Sequence, residues 1–486
     1  MVPETEDARL WPEKPSHRAS ASPVPSRAAG DSDRISGASA ERRRGMPGMS
    51  HPDTSLPSQR RPREAASPSA GRPVPVPRAS ATPTTTPEGT LAARDRRGYR
   101  LTSIDMLRGL VIVIMALDHV RDFVMAGSVQ DPMSDPNVAP SLFITRWITH
   151  ICAPVFVFLA GTSAGLMTAR KSPAALGEFL AKRGVWLILV EATLLSTALT
   201  FSPLGLPQFG GHIVIIFQVL WAIGASMLVL AAAQFLGRRA CLIGGAAIVL
   251  GHNLLDSVWP ATHIPDSAPL WVGLHAQMAY VVGPFEIINA YPLLPWIGVM
   301  LLGFGSAGIF EQAPEKRSAL LLRIGLMCSA AFVVLRALNR YGDPHRWQVQ
   351  AGGFGATLMS FLNTSKYPPS LLFLLMTLGP AAIVCAYADS FRGWVKDTLV
   401  MYGRVPFAFY IAHFYLAHLL GVVIGVWQGY TVSQMATLPF FNPKGFGLGL
   451  PGVYAVWLLV IALLYPLCRW VAAVKARRTD WWLSYL

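Results

Sequence analysis

The chain contains 486 residues, of which 52% are hydrophobic and only 14% are charged, whereas an ordinary globular protein carries about 25% charged residues. With a mean hydropathy of +0.40, a water-soluble domain would have more apolar surface than it could bury, so the composition excludes that class and indicates lipid as the solvent. The formal net charge of +14 does not indicate nucleic-acid binding, because Lys and Arg lie in the N-terminal segment and in short loops between apolar runs.

The N-terminal segment, residues 1–97, is rich in Pro, Ser, Ala and Arg and almost lacks aromatic residues. Such a composition cannot bury enough apolar surface to offset the entropy of ordering, so it predicts a disordered tail. No apolar stretch precedes about Leu107, which argues against a signal peptide. Contact of the basic tail with anionic lipid and a later translation start at Met46 or Met49 both remain open.

From Leu107 onward, apolar runs of about 20 residues follow one another. They predict an all-α, polytopic membrane domain of about ten transmembrane helices over residues 98–486. The ninth run is long, and we expect it to be tilted or broken near Pro406. The runs lie near Leu107–Ala126, Ile151–Thr168, Gly184–Phe201, Ile213–Phe235, Ala240–Leu255, Tyr291–Phe310, Ala319–Leu338, Ser370–Ala388, Leu399–Trp427 and Val453–Val474.

Basic residues fall on alternate loops between these runs, which is the positive-inside pattern and predicts a multi-pass protein of the cell membrane with both termini cytoplasmic. One predicted outer loop departs from the pattern. A site for an anionic ligand and plain interfacial anchoring explain this departure equally well. The cations concerned are Arg336, Arg340, Arg346 and Lys366.

The first run carries an unusual set of ionisable side chains. Arg108 and His119 are eleven residues apart, close to three whole helical turns, so they share one helix face about 16 Å apart along the axis. Because ionisable groups in lipid cost several kcal/mol, that face should meet the bundle interior or a watery cavity. Asp105 can pair with Arg108, and Asp122 can orient the His119 imidazole, with Asp118 beside it. An interfacial Arg anchor and an unrelated His are the alternative.

Two further features within the runs concern packing. The motifs Gly161-xxx-Gly165 and Gly421-xxx-Gly425 predict close helix approach. Glu191, alone in the third run, is expected to be neutral or paired.

Four stretches resemble one known family. The opening Ser-Ile-Asp-x-Leu-Arg-Gly with Arg-x10-His is similar to the signature of the transmembrane acyltransferase superfamily. The three other stretches resemble the heparan-alpha-glucosaminide N-acetyltransferase catalytic-domain family, a former domain of unknown function. The resemblance covers roughly Tyr99 to the C-terminus. The stretches are Ser103–Gly109, Trp147–Gly161, Ser365–Leu371 and Gly403–Phe407.

The resemblance implies transfer of an acyl group, usually acetyl, from acetyl-CoA or another acyl-CoA to a carbohydrate or glycolipid acceptor at the lipid bilayer. His119 would then handle the acceptor's proton, and Arg108 would hold CoA phosphates. In the lysosomal member, the proposed acyl-accepting His lies in the loop between the first two spans. Here that loop, Gly127–Trp147, contains no His, and the nearest is His150, the second catalytic candidate. Whether a covalent acyl-His forms stays open.

The remaining candidate site residues lie late in the chain. Lys366 is a candidate for anion contact from the outer side, and Arg404 belongs to the last family-like stretch. Tyr410 lies one turn before His413 on a shared helix face, although a hydrogen-bonded packing role is the commoner one for a single His. We expect no metal, because no metal motif occurs. The alternatives to an enzyme are a transporter of a polar or anionic solute and a non-catalytic membrane subunit; a homo-oligomer remains open.

Overall fold

The computed structural model describes residues 88–128, 131–135, 137–258, 269–478 and 480, with side chains from Thr102 onward apart from that of Pro269. Most of the predicted tail, residues 1–87, lies outside the described residues. The first helix begins at Glu88, inside the segment that the sequence predicts as tail. The division of the chain at residue 97 stays a prediction.

Helices make up most of the described chain. In chain order they are α1 (Glu88–Val124), α2 (Pro140–Thr149), α3 (Cys152–Met167), α4 (Pro173–Val190), α5 (Ser196–Thr200), α6 (Val219–Ala233), α7 (Gly237–Gly251), α8 (Pro269–His275), α9 (Leu293–Gly305), α10 (Pro314–Leu338), α11 (Gly353–Leu362), α12 (Leu371–Tyr387), α13 (Trp394–Arg404), α14 (Pro406–Trp427), α15 (Val432–Met435) and α16 (Leu450–Arg477). A π-helical turn, Glu191–Leu195, joins α4 to α5.

Six helical stretches of the described chain are long and apolar enough to cross a membrane. Each of the ten runs predicted from the sequence overlaps at least one helix, which confirms a helical membrane protein but does not confirm the count of ten. Helix α12, with 17 residues, is shorter than a typical span. The six stretches are Pro140–Met167, Val219–Leu255, Leu293–Glu311, Pro314–Leu338, Pro406–Trp427 and Leu450–Arg477.

The structure also contains a small three-stranded sheet, which the all-α prediction did not include. Strand β1 (Ile213–Phe217) pairs in parallel with β3 (Phe285–Asn289), which pairs antiparallel with β2 (Met278–Val282). The predicted fourth span started at Ile213, whereas its helix begins at Val219. Short apolar runs rich in β-branched residues do not distinguish a strand from a buried helix by periodicity, which is why the sequence missed the strand.

Glycines set the closest helix contacts. A Cβ at Gly161 on α3 would collide with the carbonyl oxygen of Met300 on α9, which confirms the packing role predicted for this glycine. Likewise, a Cβ at Gly403 on α13 would collide with the carbonyl oxygen of Asp105 on α1. The close crossing of α1 and α13 brings the start of the first predicted span against the end of α13.

The ninth predicted span is broken where the sequence predicted a break. Helix α13 ends at Arg404, and Pro406 occupies the first turn of α14, where its missing N–H costs nothing. Helix α14 packs along α1. The face of α1 that carries Arg108 and His119 is therefore turned toward the bundle interior.

Candidate functional site

A cavity of about 290 Å³ lies beside the early turns of the first predicted span. Its walls are mostly apolar side chains from α1, α3, α4, α6 and α14. Four cations also line it, and its described lining contains no carboxylate. We call it the basic cavity; its cations are Arg108, Arg183, Arg404 and Lys475.

Hydrogen bonds hold two of these cations, Arg108 and Lys475, in place. Arg108 donates through Nη1 to Asp105 Oδ1 at 3.1 Å and to the Gly403 carbonyl at 3.2 Å. Its Nη2 donates to Ser163 Oγ at 3.2 Å. Lys475 Nζ donates to the Arg404 carbonyl at 3.2 Å. The predicted pairing of Asp105 with Arg108 is confirmed, and this half-buried carboxylate sits at the edge of a larger group of cations.

A second cavity of about 90 Å³ lies farther along α1. It is lined by charged and hydroxylated side chains, and we call it the polar cavity. Arg146 forms a buried ion pair with Asp118, and Arg121 bridges Asp118 at 3.4 Å and Asp122 at 2.5 Å. Its polar lining residues are Asp118, His119, Asp122, Arg146, Gln218, Tyr291, Lys366 and Tyr367.

A pair of histidines lies at the polar cavity, and only His119 of the pair belongs to its lining. His119 Nδ1 is 2.7 Å from His413 Nε2, and His413 Nδ1 is 3.1 Å from the Phe409 carbonyl oxygen. Because a carbonyl only accepts, His413 Nδ1 carries the proton, and its neutral ring offers Nε2 as an acceptor. His119 then donates from Nδ1. In this neutral pair, His119 Nε2 is unprotonated and able to accept a proton.

Aromatic rings complete the boundary between the cavities. Tyr410 lines the basic cavity, and its ring lies 5.5 Å from that of His413 and 6.4 Å from that of His119, centroid to centroid. His119 lines the polar cavity, and Phe414 packs at 4.1 Å against it. The two cavities therefore approach each other where the Tyr410 ring of one contacts the His119 ring of the other.

The structure separates some of the predicted site residues. Arg108 and His119 share a helix face as predicted, but they line different cavities. The expected orientation of His119 by Asp122 is wrong: Asp122 bonds Arg121, and the imidazole partner is His413. A carboxylate next to two buried guanidinium groups lowers its energy most by pairing with them. His150 is buried against Phe373 and lines neither cavity, so its catalytic role stays a prediction.

Two cations of the predicted outer loop that departs from the positive-inside pattern have different surroundings. Arg336 is buried and donates to the backbone carbonyls of His345, Ser360, Phe361 and Asn363. It therefore holds the chain that follows α10. Lys366 lines the polar cavity, with its ammonium 5.1 Å from the centroid of the Tyr367 ring.

Glu191 is paired rather than isolated in the third predicted span. Its Oε2 atom accepts from the Trp221 N–H at 2.6 Å, in the first turn of α6. A carboxylate at a helix N-terminus is stabilised by the exposed N–H groups there. Glu191 thus joins α4 to α6 on the side of the basic cavity.

Sequence reasoning missed several of the lining residues. Arg183 and Lys475 fit the positive-inside pattern, which explained them without a site. Arg121, which lines neither cavity but pairs with two lining carboxyl groups, lies three residues after Asp118, a spacing that signals an ion pair. Gln218 and Tyr291 have no local signal, whereas Tyr367 lies in the family-like stretch Ser365–Leu371 but was given no role. Among the described residues, no His, Cys, Asp and Glu side chains form a group of three that would hold a metal ion.

The apolar helices and the two internal cavities define a polytopic membrane protein with binding sites inside its helix bundle. Residues 100–337 match the family model described as heparan-alpha-glucosaminide N-acetyltransferase, catalytic. Over these residues the chain belongs to that family, so the protein is an acyltransferase. Two of the four family-like stretches fall inside the match and two beyond it. No curated protein matches the chain.

Proposed function

We propose that the protein transfers an acetyl group from acetyl-CoA in the basic cavity to an amino or hydroxyl group of a sugar in the polar cavity. The observation that carries the proposal is the contact of His119 with His413 at 2.7 Å, where the two cavities approach each other. An acyl group must pass between the two substrates at one point. We assign that point to the histidine pair, because His119 lines the polar cavity and contacts Tyr410 of the basic cavity.

The basic cavity suits the donor. Acetyl-CoA carries several phosphate charges and a long, mostly apolar arm that ends in the thioester. Guanidinium groups bind phosphate through two parallel hydrogen bonds, and ammonium groups bind it as point charges. Four cations with apolar walls match such a molecule. We assign the phosphates to Arg183, Arg404 and Lys475, and a supporting role to Arg108.

The histidine pair suits proton transfer. His119 Nε2 takes the proton of the acceptor amine or hydroxyl as that group attacks the thioester carbonyl. The resulting imidazolium donates from Nδ1 to His413 Nε2, and a hydrogen bond from a charged donor is about twice as strong as a neutral one. The Phe409 carbonyl holds His413 in the tautomer that accepts. His413 therefore orients His119 and stabilises its charged form.

The polar cavity suits a sugar. Its carboxyl groups Asp118 and Asp122 are held by Arg121 and Arg146, and their oxygen atoms can accept hydrogen bonds from sugar hydroxyl groups. Lys366 has no ion pair within 4 Å among the described residues, and we assign it to an anionic group of the acceptor. The acceptor in the family's name, a glucosaminide, offers an amine.

The positive-inside pattern places the basic loops in the cytoplasm. The basic cavity, lined by Arg183 and Lys475 of that pattern, would then receive acetyl-CoA from the cytoplasmic side. The polar cavity would receive its sugar from the outer side. Both termini lie in the cytoplasm in this arrangement.

The test uses the full-length protein purified in detergent. Acetyl-CoA is supplied with glucosamine, with a methyl glucosaminide and with a neutral hexose, and free CoA thiol and acetylated sugar are measured together. We expect equal amounts of the two products with at least one acceptor. Transport of a sugar by proteoliposomes, with no CoA release and no binding of acetyl-CoA, would favour the transporter alternative instead.

A further inference from the structure

Tyr410 carries a buried hydroxyl group that has no hydrogen-bond partner among the described residues. Its side chain is 5% exposed and lines the basic cavity. Native proteins leave few buried polar groups unpaired, because each such group has lost its water without gaining a partner. An unpaired phenol in a cavity wall is therefore available to a bound molecule.

Ser163 provides the other hydroxyl group in the described lining of the basic cavity, and this hydroxyl already has hydrogen-bond partners. Ser163 Oγ donates to the Leu159 carbonyl at 2.7 Å and accepts from Arg108. The nearby guanidinium of Arg108 also bonds Asp105 and the Gly403 carbonyl. The Tyr410 hydroxyl thus differs from that of Ser163, since no hydrogen-bond partner contacts it among the described residues.

Tyr410 lies next to the place where the proposed reaction requires the thioester carbonyl. Tyr410 precedes His413 by one turn of α14, and its ring meets the His119 ring edge to face at 6.4 Å. An acceptor whose proton goes to His119 must attack a thioester carbon close to that ring. The carbonyl oxygen of the thioester then lies on the basic-cavity side, where Tyr410 is.

We propose that Tyr410 is a catalytic residue that donates a hydrogen bond to the thioester carbonyl oxygen; this rests on the proposed binding of acetyl-CoA in the basic cavity. The acceptor nitrogen or oxygen forms a bond to the carbonyl carbon, and the carbonyl π electrons move to the oxygen. The acceptor's proton moves to His119 Nε2. When the oxyanion collapses, the C–S bond breaks, and the CoA sulfur leaves and takes the proton from His119. Tyr410 stabilises the oxyanion, where negative charge is greatest.

A structural role is the rival explanation. Glu191, whose Oε1 atom also lacks a partner, lies close enough to interact electrostatically with Tyr410. A side-chain movement that brought the two groups into contact would let the phenol donate to this carboxyl group. In that case loss of the hydroxyl would lower thermal stability and leave the chemical step unchanged.

The experiment compares the full-length protein with Tyr410→Phe, which removes only the hydroxyl. We expect kcat for CoA release to fall about 10²- to 10³-fold, the effect of losing one hydrogen-bond donor to the oxyanion. The KM for acetyl-CoA should change less than about threefold, because this hydrogen bond strengthens only in the transition state. The matched control is Tyr415→Phe on the same helix, because the Tyr415 hydroxyl donates to the Leu194 carbonyl and lines neither cavity. It should retain kcat.

Incorporation of 3-fluorotyrosine at position 410 provides a second measurement that preserves the fold. A more acidic phenol donates more strongly, so kcat should stay near or above the unsubstituted value and the pH profile should change at its alkaline limb. Full kcat in Tyr410→Phe, or a fluorotyrosine protein with an unchanged pH profile, overturns the role of Tyr410 alone. Absence of CoA release by the unsubstituted protein with every acceptor overturns the proposed function and this role with it.

Discussion

The Nδ1 atom of His119 lies 2.7 Å from the Nε2 atom of His413, although 294 positions separate the two residues in the chain. The contact joins α1 to α14 and ends at the Phe409 carbonyl, which accepts from His413 Nδ1. One face of the pair meets the polar cavity, and the adjacent Tyr410 meets the basic cavity. A proton acceptor and its orienting group are therefore formed by two helices from opposite ends of the membrane domain.

The first prediction concerns this pair. His119→Gln should leave the protein inserted and reduce kcat by about 10²-fold or more, because an amide forms hydrogen bonds but does not take a proton near neutral pH. His413→Ala should reduce kcat less, and should lower the apparent pKa of the catalytic base in the pH–rate profile, because the imidazolium loses its acceptor. Stopped CoA-release assays at several pH values provide both readouts.

A suitable control for the pair is His418→Gln. His418 bonds the carbonyls of Ala198 and Met435 and is absent from both cavity linings. This change should lower thermal stability with little effect on the pH profile. Full turnover in His119→Gln would show that His119 is a packing residue, and the assignment would pass to His150.

The second prediction concerns donor binding. Lys475→Ala should raise the KM for acetyl-CoA by about 10-fold, while kcat changes little. This factor corresponds to about 1.4 kcal/mol, the free energy of roughly one charge-assisted hydrogen bond. Arg108→Ala should also raise this KM, and Arg108→Lys should recover only part of it, because a point charge lacks the guanidinium fork. Initial rates over a range of acetyl-CoA concentrations measure both.

The matched control for Lys475 is Arg477→Ala. Arg477 lies on the same helix as Lys475, and its replacement by Ala removes the same charge. However, Arg477 is exposed and does not line the basic cavity. If the two variants raise the KM equally, the effect comes from overall charge and the assignment of Lys475 to the donor is wrong.

The third prediction concerns the acceptor. Lys366→Gln should raise the KM for an anionic acceptor such as glucosamine 6-phosphate by about 10-fold, the loss expected for one charged hydrogen bond, and should change the KM for glucosamine less. The KM for acetyl-CoA should stay constant. Arg340→Gln is the control, because Arg340 is an exposed cation of the same predicted outer loop and does not line the polar cavity. Equal responses to the neutral and the anionic sugar would contradict the anion contact.

The fourth prediction concerns the crossing of α1 and α13. Gly403→Ala should lower the free energy of unfolding by about 1–3 kcal/mol, the cost of overpacking a close contact, because the added methyl group meets the Asp105 carbonyl. Gly244→Ala, also within a helix, meets nothing within 4 Å and should be neutral or slightly stabilising. Thermal unfolding of the two variants in detergent makes the comparison, and equal midpoints would contradict the tight crossing.

The sequence by itself determined the features that depend on near neighbours along the chain. Apolar runs of about 20 residues indicate membrane helices wherever they occur, and Pro406 predicted the break between α13 and α14 because proline disturbs a helix at its own position. The Asp105–Arg108 pair was predictable because residues three apart meet on one helix face. The family was recognisable from short stretches for the same reason, since each is contiguous.

Only the tertiary structure decided which distant side chains meet. The pairing of His119 with His413, and the gathering of Arg183 and Lys475 beside Arg108, depend on helix crossings that no local periodicity encodes. The strand Ile213–Phe217 is defined by its partner Phe285–Asn289, and an isolated apolar run does not carry that information. Asp122 was assigned to His119 from spacing alone, but Arg121 binds it, because a buried carboxylate pairs with the strongest nearby cation.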